Sequence, residues 1–233
     1  MRKSHQPISE KSTGIELPWL EKRLARNVAL KTGLIVLLFF VLGILSYSNT
    51  FENPFVFDDK LRISENSDIR LKELSIESIS KAITGKDSAR SRPVGNISFA
   101  LNYYFHQYNL FGYHLVNIII HVVNGILLYL FLKATLALKQ ARFKIEHSEW
   151  IALLAALLWL VNPVQTQSVT YIVQRFTSMA AMFFFLSLLF YLNGRLTSKK
   201  KAVGLVHGCG LGMASGPRLQ GKHGNLTVFH FAL

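Results

Sequence analysis

The stretch TGLIVLLFFVLGILSYS, residues 32–48, is an apolar run without a charged side chain. A helix needs roughly 20 mainly apolar residues to cross the hydrocarbon core of a bilayer, and the residues NVAL before Lys31 bring the run to that length. A signal peptide fits less well, because a basic region of 31 residues precedes the run and no A-x-A-like cleavage site follows it. Residues 32–48 therefore predict an uncleaved membrane anchor.

Three further segments, residues 112–136, 150–166 and 176–194, are apolar enough to indicate additional spans. The run IALLAALLWLV in the third segment is too short to cross alone, so we expect its helix to continue towards or past Pro163 with a kink. The sequence thus predicts an all-α polytopic membrane protein with about four transmembrane helices. A large structured loop, residues 49–111, separates the first two of them.

The composition fits a membrane protein and argues against a nucleic-acid binder. Of the 233 residues 50% are hydrophobic, and the formal net charge is +13. The basic residues lie at the ends of the predicted spans, where attraction to an anionic membrane surface explains them. The single cysteine, Cys209, excludes an internal disulfide and a zinc site built from cysteines. The expected partner is the lipid bilayer, and no nucleic-acid partner is expected.

The distribution of charge predicts the orientation. Basic residues cluster in the N-terminal segment, after the second span and after the fourth, at 2–31, 139–144 and 195–201. Cytoplasmic segments carry such an excess, so the N-terminus is predicted to be cytoplasmic. The loop 49–111 contains eight acidic and eight basic residues, and it faces outward in this arrangement.

The outward loop is expected to carry its own structure, because it is too long for a plain connection. The apolar spacing in DIRLKELSIESISKAIT, residues 68–84, predicts a short amphipathic helix on or near the membrane face. Aromatic residues are dense in the following stretch, SRPVGNISFALNYYFHQYNLFGYHL, residues 91–115. We expect these aromatics to anchor at the bilayer interface rather than to form a sugar-stacking surface.

Four polar residues of the second span share one face of a helix: His114, Asn117, His121 and Asn124. Because such side chains are costly in lipid, the stripe must face other helices or a wet cavity. The stripe therefore indicates either interhelical hydrogen bonding or the lining of a substrate cavity. A metal site is disfavoured, since the two histidines lie two turns apart with no carboxylate between them.

A polar stretch, residues 165–175, joins the last two apolar runs and ends at Arg175. The positive-inside tendency disfavours a cation at the outer side of a span. Arg175 therefore indicates a bound anion or a carboxylate partner such as Asp58 or Asp59. Arg90 and Arg92 could act similarly from the loop.

The acidic pair Asp58-Asp59 follows the apolar residues FVF in the outward loop. Such a pair can cap the turn that follows it. It can equally supply a base to a reaction, because proton transfer needs a carboxylate within hydrogen-bond reach. The residues alone leave both interpretations open.

Several stretches in this order resemble the GT-C superfamily of polytopic glycosyltransferases. The resemblance is to the transmembrane and tetratricopeptide-repeat protein O-mannosyltransferases and their bacterial relatives, and it covers about residues 30–200. The stretches that carry it are NPFVFDD at 53–59, RPVGNISFALNYY at 92–104, GYHLVNIIIHVVN at 112–124 and ALLWLVNPVQTQSVTYIVQR at 156–175.

The resemblance implies an outward-facing site that transfers a sugar from a polyprenyl-phosphate-linked donor to a hydroxyl of a protein or glycan acceptor. Its acidic motif corresponds to Asp58 and Asp59, with Asp58 as the base and Asp59 orienting it or helping to hold a divalent metal ion. Arg92 and Arg175 are the candidates for the donor phosphate. The substrate-lining candidates are His114, Asn117 and His121, and the expected location is the bacterial inner membrane.

The last part of the chain departs from this family pattern. Residues 1–31 form a basic cytoplasmic segment and residues 32–200 the GT-C-like region, but the tail 201–233 is rich in glycine and has no helical period. We hypothesise a frameshift near residues 201–204, which would make the chain an inactive N-terminal fragment of a longer enzyme. Tetratricopeptide repeats are not visible in the sequence. The alternative function is a non-catalytic polytopic protein, a transporter fragment or an assembly scaffold, although no repeated halves typical of a transporter appear.

Overall fold

The computed structural model describes residues 18–88, 92–138 and 147–197 of the chain. The N-terminal residues 1–17, Arg90, and the tail with its hypothesised frameshift lie outside these ranges. Within them all regular structure is helical. The helices are α1 (Pro18–Tyr47), α2 (Ile76–Thr84), α3 (Pro93–His106), α4 (Leu110–Leu136), α5 (Ser148–Leu160), α6 (Thr166–Thr170) and α7 (Arg175–Thr197). Short 3₁₀ or π-helical turns occupy Ser48–Thr50, Lys60–Ser64, Pro163–Gln165 and Ile172–Gln174.

Three helical segments of this part of the chain are long and apolar enough to cross a membrane: Asn27–Thr50, Leu110–Leu136 and Ile172–Gly194. The pair formed by Ser148–Leu160 and Pro163–Thr170 makes a fourth if the two helices count as one bent span. The predicted all-α polytopic fold is confirmed. The chain divides into two units, residues 1–38 and 39–233, and the packing described below lies within the second.

Helix α4 lies at the centre of the helix packing, between α5 and α7. At Gly125 the neighbouring side chains come so close that a Cβ atom would lie 3.1 Å from both Leu160 and Phe39. Small residues permit such approach where lipid supplies no hydrophobic force between helices. The centre of α4 is consequently buried by protein on more than one side.

The third span is broken after α5, and the chain bends by 49° there. Pro163 cannot donate a backbone hydrogen bond, and Asn162 caps the new turn by accepting one from the backbone N–H of Val164 at 3.0 Å. The carbonyl oxygen of Leu160 accepts from His121 Nε2 at 2.9 Å and from the Tyr47 hydroxyl at 3.2 Å. The predicted kink at Pro163 is confirmed, and buried side chains of α4 and α1 satisfy the backbone that it exposes.

The loop between α1 and α4 has a hydrophobic core of its own, as predicted. Helix α2 begins only at Ile76, because the Ser75 hydroxyl accepts from the backbone N–H of Ser78 and so caps it. The predicted helix over 68–84 is therefore wrong in its first half, where Ile69 and Leu71 are buried in an irregular segment. The core also takes residues from one end of the helix bundle. Its buried members are Ile63, Ile69, Leu71, Ala82, Phe99, Ala100, Tyr113, Ile172, Val173 and Phe176.

The aromatic residues before the second span do not act as one interfacial belt. Phe99 of α3 and Tyr113 of α4 are both fully buried, and their rings stack with centroids 6.4 Å apart. Phe105 is 67% exposed, by contrast. The expected interfacial anchoring is thus wrong for Phe99 and Tyr113, because α3 folds back onto the end of the bundle and buries them.

Candidate functional site

The two adjacent aspartates lie in different environments. Asp59 is 1% exposed, and its carboxylate accepts from the backbone N–H groups of Val173 at 2.7 Å and Val56 at 3.2 Å. Burial raises the pKa of Asp59 above its ordinary value, although these backbone hydrogen bonds act in the opposite direction. Asp59 precedes the turn Lys60–Ser64 but makes no capping hydrogen bond to it. The interpretation of the pair as a turn cap is therefore wrong for Asp59.

Asp58 is exposed, and its position is fixed through its backbone. Its N–H donates to the hydroxyl of Tyr171 at 3.0 Å. The residue before it, Phe57, has φ +44°, a left-handed conformation that is uncommon for bulky side chains. The chain thus turns sharply at this point. Of the two carboxylates that follow, that of Asp58 lies in solvent and that of Asp59 lies in the protein interior.

Two hydrogen bonds form what we call the seam: the Asp58 N–H donates to the Tyr171 hydroxyl, and the Val173 N–H donates to the Asp59 carboxylate. They join the loop after α1 to the segment between α6 and α7, which lies more than 110 residues later in sequence. Two clefts open beside the seam: the lining of one includes Asp58 and Val173, and the lining of the other includes Tyr171. Their linings differ mainly in charge.

The first, which we call the charged cleft, has a volume of about 380 Å³. Its lining includes one acidic residue, Asp58, and two basic residues, Arg62 and Arg92. Arg92 lies over the ring of Phe176, 5.0 Å from its centroid, in a cation–π contact. The remaining lining residues are Val173, Gln174 and Thr177. One acidic and two basic groups make this cleft suitable for an anionic ligand.

Arg62 is a site residue that sequence reasoning missed. It follows Asp58 by four residues and stands in the turn Lys60–Ser64 directly after it. Residues four apart in a helical segment lie on the same side. The i,i+4 relation to Asp58 is the signal that could have identified Arg62.

The second, which we call the neutral cleft, has a volume of about 340 Å³ and no charged residue in its lining. Apolar side chains from the loop form one wall, and polar side chains around α6 form the other. The lining residues are Asn53, Pro54, Val56, Phe57, Gln167, Thr170 and Tyr171. Tyr171 belongs both to this cleft and to the seam.

Arg175 lies behind the seam and is fully buried. Its Nε donates to Asn117 Oδ1 at 2.7 Å, and its Nη2 donates to Asn102 Oδ1 at 2.8 Å and to the Tyr113 carbonyl oxygen at 2.9 Å. Its Nη1 donates to the carbonyl oxygen of Ser98 at 3.3 Å. These partners are neutral oxygens, so the expected pairing with Asp58 or Asp59 is wrong. Arg175 instead ties α3, α4 and α7 together.

The polar stripe of α4 makes hydrogen bonds to other segments at each of its four positions. Asn117 donates to the carbonyl oxygens of Val169 and Ile172, both at 3.2 Å, and Asn124 donates to that of Ser178 at 2.9 Å. His114 Nε2 lies 3.0 Å from the carbonyl oxygen of Asn53, and His121 holds the bend after α5. The interpretation as interhelical hydrogen bonding is confirmed, and none of the four lines either cleft.

The described residues do not form a metal site from protein ligands alone. Both carboxylate oxygens of Asp59 are engaged by backbone N–H groups, which leaves Asp58 as the free member of the pair. Within the described ranges no three His, Cys, Asp or Glu side chains come together as a ligand set. The chemistry of the site is therefore derived from its carboxylate and guanidinium groups.

Comparison with curated proteins identifies protein O-mannosyl-transferases as relatives. The chain is 31% identical to protein O-mannosyl-transferase TMTC2 of Mus musculus over 194 residues, which are 80% of this chain and 22% of the relative. It is 30% identical to a protein O-mannosyl-transferase of Caenorhabditis elegans over 169 residues, 69% of this chain and 23% of the relative. With tmtc2 of Xenopus laevis the identity is 35% over 160 residues, 65% of this chain and 18% of the relative.

The chain thus spans about a fifth of the length of the curated relatives it matches. The resemblance to these transferases that the sequence motifs indicated is confirmed. The relatives are animal proteins and give no support to the expected bacterial inner membrane. No family model matches the chain, and no solved structure is significantly similar to it.

Proposed function

Since this chain is homologous to the protein O-mannosyl-transferases over most of its length, we propose that it forms the acidic-loop part of a membrane glycosyltransferase. The reaction is transfer of a sugar, mannose by analogy with the relatives, from a polyprenyl-phosphate donor to a protein hydroxyl. The observation that carries the proposal is the charged cleft, in which one free carboxylate lies together with two guanidinium groups.

The charged cleft suits a sugar joined to phosphate. Guanidinium groups bind phosphate oxygens through several N–H donors in fixed geometry, so Arg62 and Arg92 would hold the donor phosphate. Phe176 supports Arg92 from below through its ring. Within the described ranges neither arginine forms an ion pair with a carboxylate, so both can bind an anion.

The proposed reaction uses Asp58 as the base. The carboxylate of Asp58 accepts the proton of the acceptor hydroxyl as the hydroxyl oxygen attacks the anomeric carbon of the sugar. The bond between that carbon and the phosphate oxygen breaks, and its electron pair stays on the leaving phosphate. Arg62 and Arg92 stabilise the charge that develops there.

Asp59 and the residues behind it would position this base. Asp59 fixes the loop to the backbone of Val173, one residue before the cleft wall at Gln174. Four further candidates are buried, line neither cleft and form hydrogen bonds to protein oxygens: Arg175, His114, Asn117 and His121. A direct contact of these four with substrate would require those hydrogen bonds to open, so we propose that they act by holding the site in place.

Transfer assays with the full chain in nanodiscs test the function. With polyprenyl-phosphate mannose and a threonine-containing peptide, we expect Asp58→Asn to lower the rate about 100-fold or more, the usual effect of losing a general base. Glu73→Gln, which removes an exposed carboxylate outside both clefts, is the matched control. Equal rates for Asp58→Asn and the control would overturn the role of Asp58.

Donor binding gives a readout that does not depend on turnover. We expect Arg62→Ala and Arg92→Ala each to weaken binding of polyprenyl-phosphate mannose about tenfold, because each removes charge-assisted hydrogen bonds. Arg70→Ala makes the same change of charge outside the charged cleft and should leave binding unchanged. If wild type shows neither binding nor transfer, the non-catalytic alternative is favoured.

We further propose that both clefts face outward and the N-terminus lies in the cytoplasm, following the distribution of basic residues. In a Cys209→Ser background, a cysteine at Ile76, which is 89% exposed, should react with a membrane-impermeant maleimide in right-side-out vesicles. A cysteine at Lys133, near the other end of α4, should not. The reverse pattern of labelling would contradict this orientation.

A further inference from the structure

We propose that the neutral cleft is the acceptor site, and that it binds an extended polypeptide segment whose serine or threonine hydroxyl reaches Asp58. This inference rests on the proposed function, because it takes the charged cleft as the donor site. It adds the place and the contacting residues of the second substrate.

The position of the neutral cleft meets the geometric need of the reaction. Two substrates must approach one carboxylate from different directions if the acceptor oxygen is to attack the carbon that leaves the phosphate. The charged cleft includes Asp58 and the neutral cleft includes Phe57, the residue directly before it. The seam between them is fixed by the hydrogen bond from Asp58 to Tyr171.

The charges of the two clefts separate the two substrates. Both arginines and the free carboxylate belong to the charged cleft, and the lining of the other is uncharged. A phosphate ligand would therefore be drawn to the first and would gain no ion pair in the second. An uncharged polymer is the ligand that the neutral cleft suits.

The lining of the neutral cleft fits a peptide. Asn53 and Gln167 are both exposed and present amide groups, which donate and accept hydrogen bonds as a peptide backbone requires. Pro54, Val56 and Phe57 provide the apolar wall for the side chains of the segment. An extended chain offers both kinds of contact, since its backbone forms hydrogen bonds and its side chains enter apolar pockets.

Phe57 is the residue most directly implicated in contact. Its side chain is 85% exposed while its backbone is held at φ +44°. Neither condition is favourable for a phenylalanine, since burial and a negative φ would both lower its energy. A bound segment that covers the ring would recover the burial that the free protein lacks.

Tyr171 connects the acceptor to the base. Its hydroxyl oxygen accepts from the backbone of Asp58, and its side chain lines the neutral cleft. Its own O–H proton stays available to donate to a bound peptide carbonyl. Tyr171 is therefore a positioning residue for Asp58 and a contact residue for the acceptor.

Photocrosslinking with the full chain tests the site without requiring turnover. We would place p-benzoylphenylalanine at Phe57 and, as the matched control, at Phe105, which is 67% exposed and outside both clefts. The probes are a biotinylated threonine-containing dodecapeptide and a biotinylated mannose oligosaccharide. We expect capture of the peptide at position 57 at least fivefold above position 105. Equal capture at both positions, or preferential capture of the oligosaccharide, would overturn the proposal.

Acceptor kinetics provide the second measurement. Gln167→Ala and Tyr171→Phe should raise the KM for the peptide about tenfold, from the loss of one or two hydrogen bonds. The KM for the donor should stay unchanged, as should both constants for Gln165→Ala, a neighbour that does not line the cleft. Capture without any transfer would contradict the proposed function alone. Transfer with neither capture nor a change in acceptor KM would contradict the acceptor site alone.

Discussion

At the scale of single residues, Asp58 and Asp59 show how one side chain type takes two roles at adjacent positions. The sequence predicts an acidic pair of importance in the loop, but it does not reveal which member is buried. Asp59 is the buried member because it accepts a hydrogen bond from the backbone of Val173, 114 residues away. No local sequence pattern predicts a contact over that separation. The positive φ of Phe57, which precedes the two aspartates, could not be predicted from the sequence either, because phenylalanine rarely adopts it.

The two aspartates should differ in their effect on stability. Asp59→Ala leaves the backbone N–H groups of Val173 and Val56 without their acceptor, at a cost of about 2–3 kcal/mol in the free energy of unfolding. Asp58→Ala removes an exposed side chain and should change it by less than about 0.5 kcal/mol. Unfolding in mixed micelles by increasing SDS measures both. A larger loss for Asp58→Ala than for Asp59→Ala would contradict the structure.

The pH dependence of stability should also report on Asp59. Its pKa in the folded protein is raised by burial, so the folded state binds a proton more readily than the unfolded state does. Stability therefore falls as the pH rises from its ordinary pKa of 3.8 through the raised value, and is constant above it. We expect the difference in unfolding free energy between wild type and Asp59→Asn to decrease over this window. A difference that increases with pH would show that the N–H donors outweigh burial.

At the scale of the secondary-structure elements, the spans were predictable and their internal contacts were not. The second span was expected at 112–136 and is found at Leu110–Leu136, because lipid as a solvent demands a continuous apolar run. Helix α2 is shorter than expected, because the spacing of Ile69 and Leu71 fits both a helix and a buried irregular segment. Pro163 predicted the kink. The side chains that donate to the exposed carbonyl oxygen of Leu160, however, come from helices distant in sequence.

The break after α5 should depend on His121. In His121→Ala the carbonyl oxygen of Leu160 keeps only the Tyr47 hydroxyl, and the contact of the imidazole with the Trp159 ring is lost. We expect about 1–2 kcal/mol of destabilisation in SDS unfolding. His121→Gln retains an N–H donor and should recover about half of the lost stability. The control is His106→Ala, which changes an exposed histidine. An equal loss of stability in this variant would refute a specific role of His121 at the bend.

At the scale of the whole molecule, the site is built where three distant parts of the chain meet at one end of the bundle. The loop after α1, helix α3 and the segment between α6 and α7 share a hydrophobic core, and the two clefts open beside it. The length of the loop predicted that it has its own structure. It could not predict that these three parts meet, because no local pattern specifies contacts over such separations. Arg175 illustrates the difficulty: a cation at a span end resembles a phosphate ligand until its neutral buried partners are known.

Arg175 should therefore control the integrity of the site rather than the affinity for phosphate. A lysine ammonium cannot bridge Asn117, Asn102 and the two carbonyl oxygens as the planar guanidinium does. It would also lose the contacts of the guanidinium with the rings of Phe99 and Tyr113. We expect Arg175→Lys to cost about 3 kcal/mol, because at least one buried hydrogen bond between a charged group and a neutral oxygen is lost. Limited proteolysis should then cut the loop 49–111 faster, while the helical circular dichroism of the spans is kept. If Arg175→Lys instead weakened donor binding with the loop still resistant to protease, Arg175 would be a phosphate ligand, as its position in the sequence first indicated.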